Sequence, residues 1–222
     1  MNSILDEQLE NPSKKFLQWS SAQACFTYYD KEIPDLENNK PGSTINVELP
    51  FSFVPLKEMA TIKGWSDKHE TGLWSNEVEY TKKERLSVKG NVNDRKTVLS
   101  EGLWDDIKEE VKANGGKFTK SLYVAVKQGK AFEIWNLQLS GSGMEGFMKF
   151  PGNLFSGKQV TINKFEKVQK TKAVSYNIPV LEQSDISKED LTACKELAKE
   201  LVDYIAKYKE QTQVVKLSDV NI

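Results

Sequence analysis

Apolar and polar positions alternate with a period of two along most of the first 181 residues, and the helical period takes over in only a few places. ACFTYY (24–29), STINVELPFSFV (43–54), MATIKGW (59–65) and LWSNEVEY (73–80) read as strands, separated by turn-forming clusters such as the Pro, Asn and Gly residues from Pro34 to Gly42. SVKG (87–90) continues the pattern. GLWDDIKEEVKANGG (102–116) predicts a helix, because Leu103, Trp104, Ile107 and Val111 share one face and Gly115 with Gly116 supplies a stop. KSLYVAV (120–126) and AFEIWNLQLS (131–140) then form a hairpin around Gly129, and a helix rich in small residues follows over 142–150. The stretch 158–172 pairs with TKAVSYNIPVL (171–181) as a last hairpin.

At the C-terminus the period changes for good. Ser187 and Asp190 form a capping box, and Leu191, Cys194, Leu197, Leu201, Tyr204, Ile205 and Tyr208 recur at helical spacing, which predicts an amphipathic helix packed on the β-domain or on a second subunit. The division is therefore an N-terminal arm or short helix (1–21) with Phe16, Leu17 and Trp19 free to dock, a β-domain (22–181), and a C-terminal helix and tail (182–222). Short strands around one or two inserted helices predict a mainly β fold, a closed or partly closed barrel.

Composition adds bounds. A chain of 222 residues that is 38% hydrophobic can fill a sizeable core. No apolar run approaches the roughly 18 residues of a membrane span, and MNSILDEQLENPSKK lacks the apolar centre of a signal peptide, so no membrane partner and a cytoplasmic location are expected. Cys25 and Cys194 each lie in an apolar stripe and read as buried reduced thiols.

Charge changes the picture more. The formal net charge is only -1, yet KKERLSVKGNVNDRK (82–96) holds six basic and two acidic residues and KQVTINKFEKVQKTK (158–172) five and one, so each is strongly basic. Apolar residues alternate with Lys or Arg in both, which predicts basic groups along the solvent face of a sheet: either a surface for a polyanion or solubilising edge strands. Only Arg85 and Arg95 are arginines among the 31 basic residues. Lysine lacks the rigid bidentate fork that reads guanine edges, so sequence-specific duplex reading is disfavoured and backbone-directed binding stays open.

Enzyme chemistry finds little footing. GSGMEG (141–146) has the spacing of a dinucleotide fingerprint, but its strand belongs to a run of antiparallel candidates rather than a βαβ unit, and small residues at a tight strand-to-helix turn explain it. His69 is the single histidine and reads as exposed; the cysteines lack metal-ligand spacing; GxxxxGK[ST] and GxSxG do not occur. Asp105, Asp106, Glu109 and Glu110 fall in the early turns of a helix, where they complement its dipole. No enzyme activity, cofactor or metal is expected. Aromatic residues are a different matter, since single-strand binding needs a few exposed rings beside Lys. Most rings must be core; Trp74, Tyr80 and Phe165 flank or lie within basic stretches and are the candidates for stacking on bases.

Three segments, GLWSNEV (72–78), GLWDDIKEEVKANGGKFTKSLYVAV (102–126) and LQLSGSGMEGFMKF (137–150), in that order and followed by a hairpin with Tyr176 and Pro179, resemble a family of bacteriophage and prophage single-stranded DNA-binding proteins. The resemblance implies an OB-fold that coats single-stranded DNA without catalysis during phage replication or recombination. On that reading Lys82, Lys83, Arg85, Lys89, Lys164, Lys167, Lys170 and Lys172 form the electrostatic track and Trp74, Tyr80 and Phe165 the stacking platforms. Further partners would be the protein itself or replication proteins, through the C-terminal helix or tail. One alternative is a structural or assembly protein presenting its C-terminal helix to a partner; the other is an enzyme using GSGMEG as a nucleotide loop.

Overall fold

The computed structural model describes residues 9–218, with side chains through residue 211. Strands β1 (Lys15–Ser20), β2 (Cys25–Asp30), β3 (Ser43–Val47) and the long β4 (Phe51–Ser66) are followed by β5 (Thr71–Ser75), β6 (Leu86–Val92) and β7 (Arg95–Gly102). Helix α1 (Trp104–Ala113), the hairpin β8 (Gly116–Gln128) and β9 (Ala131–Leu139), helix α2 (Gly141–Lys149), the hairpin β10 (Gln159–Gln169) and β11 (Ser175–Ser184), and helix α3 (Lys188–Ser218) complete the order. The mainly β reading, the inserted helices and the C-terminal helix are as expected. No helix among the described residues is long and apolar enough to cross a membrane.

The strands form one sheet in the order β3-β2-β1-β9-β8-β4-β5-β6-β7, with β10 branching from the start of β4 and carrying β11. Neighbours run antiparallel except β1 and β9, which are parallel. β3 and β7 stand at the two ends of the path without pairing to each other, so the sheet is not closed, which corrects the closed-barrel form of the expectation. β1 corrects a second one: residues 15–20 are a strand within the sheet, with Leu17 fully buried, rather than part of an arm or short helix. Residues 1–8 of the expected arm lie outside the described residues, as do 219–222 of the expected tail; residues 214–218 continue α3.

Strand boundaries shifted where proline intervenes. The segment expected as one strand over 43–54 divides at residues 48–50, while 51–66 run on as one strand through Pro55. Pro55 has no N–H to give the ladder, and the β4–β8 register shifts between Pro55 and Lys57 instead of breaking. The α1 stop is as expected: Gly115 adopts φ +84°, and a Cβ there would lie 2.0 Å from the Trp65 carbonyl oxygen, so only glycine fits.

Alternation sorts the sheet into two faces. One face holds the main core, where Leu17, Phe26, Phe53, Leu122, Val124, Leu137 and Ile162 meet Phe147 of α2, and a second cluster where Ile62, Leu86 and Val88 meet Ile107 and Val111 of α1. α2 sits close because of glycine: a Cβ at Gly146 would approach the Pro179 carbonyl oxygen of β11 to 2.4 Å. The strand after α2, β10, pairs antiparallel with β4 and β11, so GSGMEG opens a packing helix and not a βαβ unit.

α3 covers half of the other face. Leu201 and Ile205 pack on Met59, Tyr123 and Ile134, and Cys194 on Val54 and Ala125, each buried side chain contributing roughly 1.5–3 kcal/mol. Ser187 caps the helix by accepting from the Asp190 N–H at 3.0 Å. At the far end the Glu77 N–H donates to the Tyr208 hydroxyl at 3.1 Å, and Lys209 pairs with Glu79 and Glu84 at 3.2 and 3.0 Å. Both cysteines are free thiols; Cys194 is buried but Cys25 only half so, and His69 is half-buried in its turn rather than exposed.

Candidate nucleic-acid interface

The half of that face left open by α3 gathers charge and rings from several strands. Residues directly opposite each other in a ladder point to the same side of the sheet, and the registers place Lys117 opposite Lys63, Lys63 opposite Trp74, and Trp74 opposite Lys89. The row Lys117–Lys63–Trp74–Lys89 thus crosses β8, β4, β5 and β6. Burial holds the Lys63 pKa below the ordinary lysine value, and the Glu77 carboxylate pulls it partly back. The Lys63 ammonium also stands 5.9 Å from the centre of the Phe16 ring.

Beside this row the sheet end forms a cleft of about 440 Å³ whose lining includes Gln18, Trp19, Lys63, Trp65, Lys117 and Gln138. Trp65 is 57% exposed and Phe16 41%, large values for rings that a sheet face could have buried. A polar wall separates cleft from α3. Glu77 accepts from the Ser121 hydroxyl and the Tyr123 phenol, and Asn136 donates to Ser121 Oγ at 2.6 Å. Burial, reinforced by the Glu77 carboxylate, pushes the Tyr123 pKa far up, so the phenol remains a donor. Neighbouring residues fix the wall: Ser75 Oγ accepts from the Ile62 N–H at 2.8 Å, and Asn76 accepts from the Ser87 N–H at 2.7 Å while donating to the Arg85 carbonyl at 3.0 Å. Ser75, Asn76 and Glu77 together stitch the end of β5 to β4, β6 and β8.

The residues singled out from the sequence fall into three places. Trp74, half-buried, and Lys89 belong to the row. Tyr80, Lys82, Lys83 and Arg85 lie on the connection from β5 to β6, at the end where Lys209 of α3 docks; Lys83 reaches to 6.0 Å from the Tyr80 ring centre, and Arg85 pairs with Glu101 at 3.5 Å. Lys164, Phe165 and Lys167 sit on β10 beyond Ile162, its last residue paired with β4, and Lys170 and Lys172 in the turn that follows.

Neither basic stretch is a one-sided strand. Residues 82–96 comprise a turn, β6 and the start of β7, with Leu86, Ser87 and Val88 all buried, and the protruding part of β10 is exposed on both sides. β5 and β4 separate the two stretches, so they do not merge into one track. The distal half of the hairpin is nonetheless tied to β1 beside the cleft, because Trp19 Nε1 donates to the Asn177 carbonyl at 2.9 Å and Asn177 Nδ2 to the Ser21 carbonyl at 2.8 Å, Asn177 lying opposite Lys167.

Lys63, Lys117, Trp65, Gln18 and Gln138 were not singled out from the sequence, and Phe16 only as an arm residue free to dock. Only the period-two spacing of Lys63 and Trp65 hinted at a shared face; the rest meet through pairings between distant segments. Comparison with protein-family models, curated proteins and solved structures finds no match to this chain.

Proposed function

We propose that this protein binds single-stranded DNA, without catalysis and with broad sequence tolerance, along the open half of the sheet face. The observation that carries the reading is the Lys117–Lys63–Trp74–Lys89 row beside a cleft rimmed by Trp65 and Phe16. Bases stack on exposed rings while lysines meet the phosphates, and a shallow, ring-studded sheet face suits an unstacked strand better than a duplex. The β10–β11 hairpin, tied to Trp19 through Asn177, extends the path with Lys164, Lys167, Lys170, Lys172 and Phe165. An OB-like barrel is the fold reading we attach to this: β1, β2, β4, β8, β9, β10 and β11 contribute to one core, and the Trp19–Asn177 and Ser21–Asn177 bonds draw β11 toward β1. The resemblance to phage single-stranded DNA-binding proteins supports a role in phage-type replication or recombination.

The test is titration of a fluorescent mixed-sequence single strand with the native protein and with Trp74→Ala. Loss of one stacked ring costs ~1–3 kcal/mol, about a 5- to 150-fold weaker Kd. A native protein that fails to bind, or a folded Trp74→Ala protein that binds as tightly, contradicts the proposal. The assembly-protein alternative meets an obstacle in α3, whose Leu201 and Ile205 are already packed on the chain's own sheet.

A further inference from the structure

We infer that β3 and β7, the two end strands of the sheet, join head to tail between copies of this chain, so that the protein assembles into a continuous series. Among the described residues each of these strands pairs with one neighbour only, β3 with β2 and β7 with β6. Natural sheet edges are kept apart by proline, charge, a bulge or a covering element. β3, STINV, carries neither proline nor charge. β7 is uncharged at Thr97 and Val98, and its register against β6 shifts only beyond Val98, which confines the joint to the start of the strand. The two patterns also match. Ile45 and Val47 of β3 and Thr97 of β7 are half-buried, whereas Thr44, Asn46, Lys96 and Val98 are exposed, so pairing would bury the first set further and leave the second on the open face of the sheet.

Direction and charge select which edges meet. Eight pairings lead from β3 to β7, seven antiparallel and one parallel, so β7 runs opposite to β3. A second copy added in the same orientation therefore lays its β3 antiparallel to β7 and keeps its open face on the same side. In that arrangement the end of β3, followed by Glu48, meets the start of β7, with Arg95 and Lys96, and all three charged residues are exposed. The contact is heterologous: it leaves one free edge at each end of the pair, so addition continues. Edge pairing does not depend on the single-strand reading, but it extends that reading. The lysine row, which reaches Val98 through Lys89, would pass onto Thr44 and the 52% exposed Tyr29 of the next copy, and a strand could cross from one copy to another.

Sedimentation velocity of the native protein without nucleic acid, over a concentration series at low salt, should give a sedimentation coefficient that keeps rising past the value of a dimer. Glu48→Lys places like charges across the joint, and so does the double variant Arg95→Glu with Lys96→Glu. Each variant alone should associate several-fold more weakly, while an equimolar mixture of the two should recover the native behaviour, because the ends of each then suit only those of the other. The three positions are exposed, so melting temperatures should stay within a few degrees of the native value. A native protein that remains monomeric across the series overturns the inference. So does association that stops at a dimer, the result of two-fold pairing between like edges, and so does a mixture that associates no better than its components. Continued association by a protein that binds no single strand leaves the edge pairing standing and overturns the single-strand reading alone.

Discussion

Lys63 is held where an ammonium is poorly solvated, opposite a second lysine and 5.9 Å from the centre of a phenyl ring. Its lowered pKa has two opposite consequences. The folded state releases this proton at lower pH than the unfolded chain does, so stability rises as pH climbs from the folded pKa toward 10.5. Across the same window the charge that meets phosphate is lost, so single-strand affinity should fall before ordinary lysines titrate. Lys63→Arg keeps its charge throughout and should remove that early decline; a fluorescence titration repeated across alkaline pH measures it, and identical profiles would refute the role given to Lys63. Trp74 and Lys89 were visible in the sequence because each sits in or beside a basic stretch. Lys63, Lys117 and Gln138 were not, because what makes them a site is register across strands that are far apart in the chain.

At the scale of elements, the helices were legible and the strands only partly so. Apolar residues three and four apart, a Gly115 stop and a Ser187 cap mark α1 and α3 locally, whereas β1 is six residues long and gains its identity from parallel pairing with β9 some 120 positions away. α3 is bound to the sheet mainly by apolar contact, so Leu201→Ala should lower unfolding stability by ~2–5 kcal/mol, read from denaturant melts. A loss below ~1 kcal/mol would mean that the helix packs loosely. The hairpin's core contacts beyond Ile162 come from β11, through Ile178, while its lysines are exposed. Reversing Lys164, Lys167, Lys170 and Lys172 to Glu should therefore leave the melting temperature within a few degrees while weakening single-strand binding. Lys195 and Lys199 of α3 are the control: per charge reversed, the hairpin set should cost several-fold more affinity. Equal cost per charge would make the hairpin a solubilising edge.

For the molecule as a whole, net charge says almost nothing and its distribution nearly everything. A chain of charge -1 would be a poor candidate for a polyanion binder if its lysines were spread evenly. The basic stretches announced that they are not, but the sequence placed both on sheet faces of one kind, and the structure divides them among a turn, a sheet row and a projecting hairpin. It also leaves the sheet open, since the ends β3 and β7 are determined by pairings that no local pattern encodes. The measurement that tests the account most directly is titration of labelled single-stranded and double-stranded oligonucleotides of equal length at several salt concentrations. Single strands should bind much more tightly, with log K falling linearly in log salt at about -0.7 for each phosphate neutralised. Equal affinity for the two forms, or affinity indifferent to salt, would contradict it.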